Sequence, residues 1–345
     1  MAYLEIDDLT VQYGKTVALR SFNLHASNSD FIVILGPSGS GKSSLLLGLC
    51  GLVPLKNGKI RISEKRIDGL PPGKRNIAMV FQDGALFPHL NVRKNIELPL
   101  RAAGVSRMDR DREIASVAAL LEIDDLLKRK PSQLSGGEKR RVAIARAMVK
   151  HPEIFLFDEP LNSLDPHLRH RLIQELIRVH ERVNVPMIYV SHDQNEALEL
   201  ASRIAILNEG IVQQNDTPNR IYERPVNTFV ATFVGSPPMN ILPFTSDDTW
   251  HKNRLLCSRI SPSPEIAMIG FRPEDVHISE GDSTVLRRIR IIGSDCICHF
   301  SRGEQDITVR VKRGKELVIG SSYDLSITHG SIHVFDHDGK RLYSL

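Results

Sequence analysis

The chain has 345 residues, 41% of them hydrophobic, and 45 basic against 41 acidic side chains leave a formal charge of only +4. That length suits about two domains with a sizeable core, and the small net charge argues against a nucleic-acid protein held by bulk charge. No apolar run approaches the ~18 residues of a membrane span, the N-terminal Met1-Ala2-Tyr3-Leu4-Glu5 has no signal-peptide pattern, and Cys50, Cys257, Cys296 and Cys298 form no disulfide framework, which suits a reducing cytosol.

Up to about Asp30, apolar and polar residues alternate (Leu4, Ile6, Leu9, Val11, then Val17, Leu19, Phe22, Leu24), which predicts antiparallel strands turning near Tyr13-Gly14-Lys15. Tyr13, at that turn, is either strand filler or a flat ring on which an adenine can stack. Phe31-Ile32-Val33-Ile34-Leu35 then reads as a buried strand, and Ser44-Leu45-Leu46-Leu47 as the start of a helix. Between them, Gly36-Pro37-Ser38-Gly39-Ser40-Gly41-Lys42-Ser43 fits G-x-x-x-x-G-K-[ST], the phosphate-binding loop, in the strand–loop–helix setting that makes the match meaningful. Glycines let the backbone adopt positive φ and approach a ligand. Successive N–H groups then form an anion nest at the positive end of a helix. Lys42 can reach the β and γ phosphates of a nucleotide, and the Ser43 hydroxyl can ligate Mg2+. Gly36, Pro37, Ser38, Gly39, Ser40, Gly41, Lys42, Ser43 and Ser44 are therefore the expected phosphate contacts.

Gly58–Ile62 and Ile77–Phe81 read as further strands, the second running into Gln82. A neutral amide there can share a metal ion or orient a water; it can equally be a capped loop residue. From Asn91 to about Lys130 apolar residues recur at helical spacing (Ile96, Leu100, Ile114, Val117, Leu121), until Pro131 breaks the run. Leu134-Ser135-Gly136-Gly137-Glu138 opens another helix. Ser135, Gly136 and Gly137 form a second cluster of donors suited to a phosphate, or a simple N-cap. One chain does not need two cradles for one nucleotide, whereas a dimer whose subunits complete each other's sites does. Ile154–Phe157 is an apolar run ending in Asp158-Glu159: Asp158 can hold Mg2+ through its water shell, and Glu159 can polarise an attacking water. Val185–Val190 predicts one more strand, ending near His192, which can hydrogen-bond a γ phosphate.

Together these residues resemble the nucleotide-binding subunit of an ATP-binding cassette (ABC) importer. Gly36–Ser43 resembles its Walker A, Ile154–Glu159 its Walker B, and Leu134–Glu138 its signature motif. Gln82 resembles the Q-loop glutamine, Tyr13 the adenine-stacking aromatic, Asn162–Asp165 the D-loop and His192 the switch histidine. The resemblance implies an α/β P-loop NTPase cassette over 1–235, with an antiparallel β subdomain and a helical subdomain at about 91–150. It implies an ATPase using ATP and Mg2+, with Glu159 and His192 catalytic, Ser43, Gln82 and Asp158 at the metal, and Asp165 among the nucleotide-site residues. The implied partners are a second copy in a head-to-tail ATP-sandwich dimer, two membrane permease subunits and, through them, an extracytoplasmic solute-binding protein, with no nucleic acid. The implied location is peripheral, on the cytoplasmic face of the inner membrane.

A narrower resemblance extends to the C-terminus. Phe233–Asn240 and Gly270–Glu274 look like segments of the maltose and glycerol-phosphate importer ATPases, which append a regulatory β domain. Over 236–345, Ile289-Ile291, Cys296-Cys298-Phe300, Ile307-Val309-Val311 and Leu325-Ile327 alternate with polar residues, predicting a small all-β barrel, oligonucleotide-binding-like by resemblance. Cys296-Ile297-Cys298-His299 makes no zinc site, because on a strand the cysteines face one side and His299 the other. The chain departs from the family pattern at Gly84, commonly aromatic, at Glu138, often Gln, and at Asn162-Ser163, often Ser-Asn or Ser-Ala. Two other readings stand: the same importer role for polyamine, sulfate, molybdate or iron, and a soluble ABC ATPase acting on nucleic acid or ribosomes.

Overall fold

The computed structural model describes residues 2–81, 84–162, 166–244, 263–328 and 330–344. The chain divides into two compact units, Met1–Pro218 and Asn219–Leu345. Among the described residues no helix is long and apolar enough to cross a membrane.

The first unit runs β1 (Leu4–Tyr13), β2 (Thr16–Ala26), β3 (Phe31–Leu35), α1 (Lys42–Cys50), β4 (Leu55–Ile62), β5 (Lys65–Arg66), β6 (Ile77–Val80), α2 (Val92–Ala102), α3 (Arg107–Leu120), α4 (Gly136–Met148), β7 (Ile154–Asp158), α5 (Pro166–Val183), β8 (Met187–Ser191), α6 (Gln194–Leu200), β9 (Arg203–Asn208) and β10 (Ile211–Asp216). Two sheets form. The antiparallel one has the order β2-β1-β4-β5, and the other, β10-β9-β3-β8-β7-β6, is parallel except for the β9–β10 pair. The sequence patterns explain the difference. β1 alternates buried and exposed positions, as a sheet with one wet face must. All five residues of β3 and of β8 are buried, as expected of parallel strands covered on both faces. Helix α1 belongs to the core itself: Leu45, Leu46 and Leu49 pack with Leu4, Ile6 and Ile60 of the antiparallel sheet and with Ile32 and Ile34 of β3. Its C-terminal carbonyls are satisfied by the buried Arg75, whose Nη1 donates to Gly48 O at 2.9 Å and Leu49 O at 2.8 Å. Helices α2, α3 and α4 form the expected helical region. Asn91, Ser106 and Ser135 cap them, each side chain accepting from a backbone N–H of the first turn.

The second unit contains the rest of α7 (Pro218–Glu223), α8 (Thr228–Phe233), β11 (Asn240–Pro243), β12 (Met268–Phe271), β13 (Val276–Ile292), β14 (Asp295–Arg302), β15 (Gln305–Lys312), β16 (Ser322–Ile327), β17 (Ile332–Phe335) and β18 (Arg341–Ser344). Its strands form two antiparallel four-stranded sheets, β11-β12-β17-β18 and β15-β14-β13-β16, which share a core around Phe271, Leu286, Phe300, Val309 and Val334. The unit begins earlier than the 235/236 division that the family resemblance implies, and Arg272 holds the intervening helices to it. This side chain is 3% exposed. Its guanidinium lies 4.1 Å from the Tyr222 ring centroid, donates from Nη2 to Tyr222 O at 2.8 Å and from Nη1 to Ala231 O at 3.0 Å, and so ties α7 and α8 to the end of β12.

His333 on β17 gives this unit a pH dependence. It is buried, with Nδ1 2.9 Å from Ser344 Oγ. Burial, reinforced by the charges of Arg341 and Arg272, pushes its pKa down from 6.5 to about 4. The unfolded chain therefore binds this proton near pH 6.5, before the folded chain does. The stabilisation is complete above pH 6.5 and is lost as the pH falls toward 4, by about 3 kcal/mol for this one group. Denaturant midpoints at pH 7, 5.5 and 4 should fall more steeply for the wild type than for His333→Phe. Parallel curves would remove His333 from the acid response.

Candidate nucleotide site

The site lies where the parallel sheet of the first unit ends. β3, β8 and β7 are consecutive neighbours running the same way, so the residues that follow them emerge along one edge. Carboxyl ends of such strands are where open α/β sheets bind ligands.

After β3 the backbone turns through Gly36–Gly41 into α1. A Cβ on Gly36 would lie 2.2 Å from Leu207 O, and one on Gly41, whose φ is +103°, 2.2 Å from Ala18 O. The loop is thus wedged between β9 and β2, and only glycine fits at both points. Gly41 is the N-cap of α1 and has no side chain to offer, so the first N–H groups of the helix, on Lys42, Ser43 and Ser44, have no side-chain cap there. Lys42 is buried. Its ammonium donates to Gly36 O at 2.9 Å and to Pro37 O at 2.8 Å. Burial lowers its pKa, and the charges of Glu159 and Asp158 act against that shift.

Ser43 Oγ donates to Asp158 Oδ1 at 3.2 Å. Burial raises the Asp158 pKa, the Ser43 bond lowers it, Glu159 raises it again and Lys42 lowers it. Two hard oxygen donors side by side, one of them a carboxylate whose charge is costly where it sits, suit a small divalent cation. Glu159 follows in the left-handed region at φ +45°, an uncommon conformation for a non-glycine residue and one that concentrates at functional sites. Its N–H donates to Val190 O at 3.1 Å, anchoring the turn to β8. Its Oε2 lies 3.1 Å from His192 Nδ1 and accepts from Asn162 Nδ2 at 3.2 Å. An ionised carboxylate only accepts, so this pairing puts the His192 proton on Nδ1. The turn carrying His192 is braced from below. Tyr189 OH and Ser191 Oγ both donate to Glu196 Oε2, at 2.9 and 2.7 Å, and Asp193 caps α6 while pairing with Arg169 at 2.8 Å.

The sheet order thus brings together Lys42, Ser43, Asp158, Glu159 and His192. Tyr13 sits at the end of the β1–β2 hairpin, opposite Thr16 and 43% exposed, with its ring available to a base. Ser135 and Glu138 form a capping box at the start of α4: Ser135 Oγ accepts from Glu138 N at 3.2 Å, and Glu138 Oε2 accepts from Ser135 N at 2.6 Å. That backbone bond is the main reason the Glu138 carboxyl lies below its ordinary range, and a glutamine at this position could accept the same bond. A Cβ on Gly137 would come 2.8 Å from the Leu168 side chain. Gln82 and Asp165 lie outside the described residues. The neighbouring departure, Gly84, has φ +71°, which favours glycine over the expected aromatic, and its carbonyl accepts from Arg146 Nη2 at 2.9 Å.

Sequence reasoning missed Asn162 as a partner of Glu159, and also Arg140, whose Nη2 donates to Asn162 O at 2.6 Å. Arg140 left a trace in the sequence. It shares a helical stripe with Ala143, Ile144 and Ala147, all buried, and a cation in such a stripe needs a partner.

Comparison with known proteins agrees with this geometry. A family model described as ABC transporter matches residues 19–162. The chain is 39% identical over 354 residues to the sn-glycerol-3-phosphate import ATP-binding protein UgpC of Rhizobium meliloti (strain 1021), covering 99% of this chain and 100% of that one. It is 37% identical over 360 residues to the sulfoquinovosyl glycerol transport ATP-binding protein SmoE of Agrobacterium fabrum, with 99% of each chain covered. Among solved structures, a dimeric ATP-binding cassette in a post-hydrolysis state with ADP and Pi superposes with a TM-score of 0.56 at 31% identity, covering 62% of this chain and 98% of that one. The cbiO1 protein of Clostridium perfringens, part of the ABC transporter complex cbiONQ, gives 0.60 at 25% identity, covering 64% and 90%. Full-length identity of this order, on a parallel sheet ending in these side chains, makes the chain a member of the ABC transporter family, the ATP-binding and ATP-hydrolysing subunit of an importer.

Proposed function

We propose that this chain powers uptake of a sugar or glycerol phosphate through two partner permeases, as a peripheral subunit on the cytoplasmic face of the inner membrane. The convergence of Lys42, Ser43, Asp158, Glu159 and His192 at one sheet edge carries the mechanism. The loop from Gly36 to Ser44 cradles the phosphates of ATP, Lys42 exchanges its carbonyl partners for the β and γ phosphates, and Tyr13 stacks on adenine. Ser43 Oγ and Asp158, the latter through the ion's water shell, are the groups that would hold Mg2+, which supplies charge neutralisation on the phosphates. Glu159 polarises the attacking water, and His192 hydrogen-bonds the γ phosphate. Ser135, Gly136 and Gly137 of a second copy complete each site from the opposite side, with Asp165 as a further nucleotide contact and Gln82 as the third residue that would stand at the metal. Closure on ATP and reopening after hydrolysis form the two-state element whose balance the nucleotide shifts.

A groove of about 480 Å3 between β6, α2 and α4 supports the permease contact. Its lining includes Met79, Phe81, Phe87, Leu98, Pro99 and Ala147. Names of the relatives, with near-complete coverage at 37–39% identity, support the cargo class. The test is co-purification with the permease pair, followed by reconstitution with the extracytoplasmic solute-binding protein. ATP turnover should rise when that protein carries sn-glycerol 3-phosphate or a sugar. Turnover that responds only to polyamine, sulfate, molybdate or iron would reassign the cargo. Purification with nucleic acid and no membrane partner would overturn the importer mechanism.

A further inference from the structure

Asn162 is tied on three sides. Its side-chain amide donates to Glu159 Oε2 at 3.2 Å, its own N–H donates to Glu159 O at 3.2 Å, and its carbonyl accepts from Arg140 Nη2 at 2.6 Å. Arg140 is nearly buried in the second turn of α4, the helix that Ser135 caps. Leu161, just before, is 1% exposed and pins the turn to the core. Two donors therefore converge on a single oxygen of Glu159: the ring of His192, with a side chain 51% exposed, and the amide of Asn162. The two differ in kind. An imidazole can give up its proton or turn toward another acceptor, whereas a carboxamide donates at every pH at which the protein is folded.

We propose that Asn162 is a positioning residue for ATP hydrolysis: its amide holds the Glu159 carboxylate in line while Arg140 ties its carbonyl to helix α4. The orientation of the donor cluster at Ser135 and the alignment of Glu159 are then set by one rigid connection. When His192 leaves Glu159 for a phosphate oxygen, Asn162 remains as the donor that keeps the carboxylate from swinging away. Asn162 touches no reacting atom and acts only through Glu159. This rests on the assignment of Glu159 to the attacking water.

A mutant cycle on the full chain, read by steady-state hydrolysis, tests it. Asn162→Ala should lower kcat about tenfold with KM for ATP within about twofold, because the lost bond matters to alignment and not to nucleotide affinity. Asn162→Asp has the same size but sets a second carboxylate against Glu159, and should cost more, about a hundredfold. With Glu159→Ala as background, Asn162→Ala should change the residual rate by less than about twofold, since its only target is gone. Thermal melting of both single variants with ATP should match the wild type. An equal loss in both backgrounds, or wild-type kcat in Asn162→Asp, overturns the proposal while leaving the role of Glu159 intact. Full turnover in Glu159→Ala overturns both.

Discussion

Glu159→Gln should bind ATP, close into a dimer and hydrolyse the nucleotide about a hundred to a thousand times more slowly than the wild type. The substitution separates two things the carboxylate does. A glutamine at φ +45° carries the same backbone strain as the glutamate, so the turn after β7 is unchanged. Its amide oxygen can still accept from Asn162 Nδ2 and from His192 Nδ1, which lie 3.2 and 3.1 Å from Oε2. Its amide cannot draw a proton from water. Positioning survives, basicity does not, and the lost rate measures basicity alone. Removing a carboxylate beside Lys42 and Asp158 also takes away negative charge at the proposed triphosphate site, so ATP affinity should hold or improve. Gel filtration with ATP and Mg2+ should show the dimer persisting for Glu159→Gln and decaying for the wild type. A variant that turns over at the wild-type rate would strip Glu159 of its assigned part.

Why that assignment was legible from the chain alone, and its surroundings were not, comes down to range. β3, β7 and β8 each announce themselves as short continuous apolar runs, because a parallel strand is covered on both faces. The glycine loop announces itself because positive φ and close backbone approach leave few residue types possible. The order β3-β8-β7 does not announce itself. It is set by which crossovers pack: β8 joins β3 across about 150 residues, and its pairing with β7, which precedes it in the chain, puts His192 against Glu159 across a separation of 33 residues. In the sequence Asn162 belongs to a D-loop match with no partner, since nothing local says that its amide turns back three residues onto a carboxylate. In the second unit, alternation was enough to find β13 to β16 as strands, and the expected barrel takes the form of two four-stranded sheets. The family resemblance carries the cassette to residue 235, and nothing local in the sequence shows that α7 and α8 attach to this unit, which depends on one buried arginine reaching three carbonyls.

The phosphate loop makes the sharpest demand on sequence, and two of its glycines should respond very differently to the same added methyl group. Gly39 has φ +80° and open space where a Cβ would stand. Gly39→Ala therefore meets only the conformational penalty of a left-handed backbone, about 1–2 kcal/mol, and should keep ATP affinity within about tenfold. Gly41 has φ +103°, and its Cβ would sit 2.2 Å from the backbone oxygen of Ala18 and 3.6 Å from Gly210 Cα. Neither neighbour is the end of a flexible side chain. Ala18 lies in β2, and Gly210 is joined to the loop by a 3.0 Å bond from its N–H to Ser40 O. The loop itself has to yield, and Gly41 is the cap from which the first amides of α1 fan out. A shift of about 1 Å there moves every donor of the cradle together, so Gly41→Ala should weaken ATP binding at least about a hundredfold and lower the melting temperature by several degrees. Titration of both variants with a fluorescent ATP analogue decides the matter. Equal affinities would mean that the cradle tolerates displacement, and that the grip on the phosphates comes from Lys42 alone and not from the backbone that presents it.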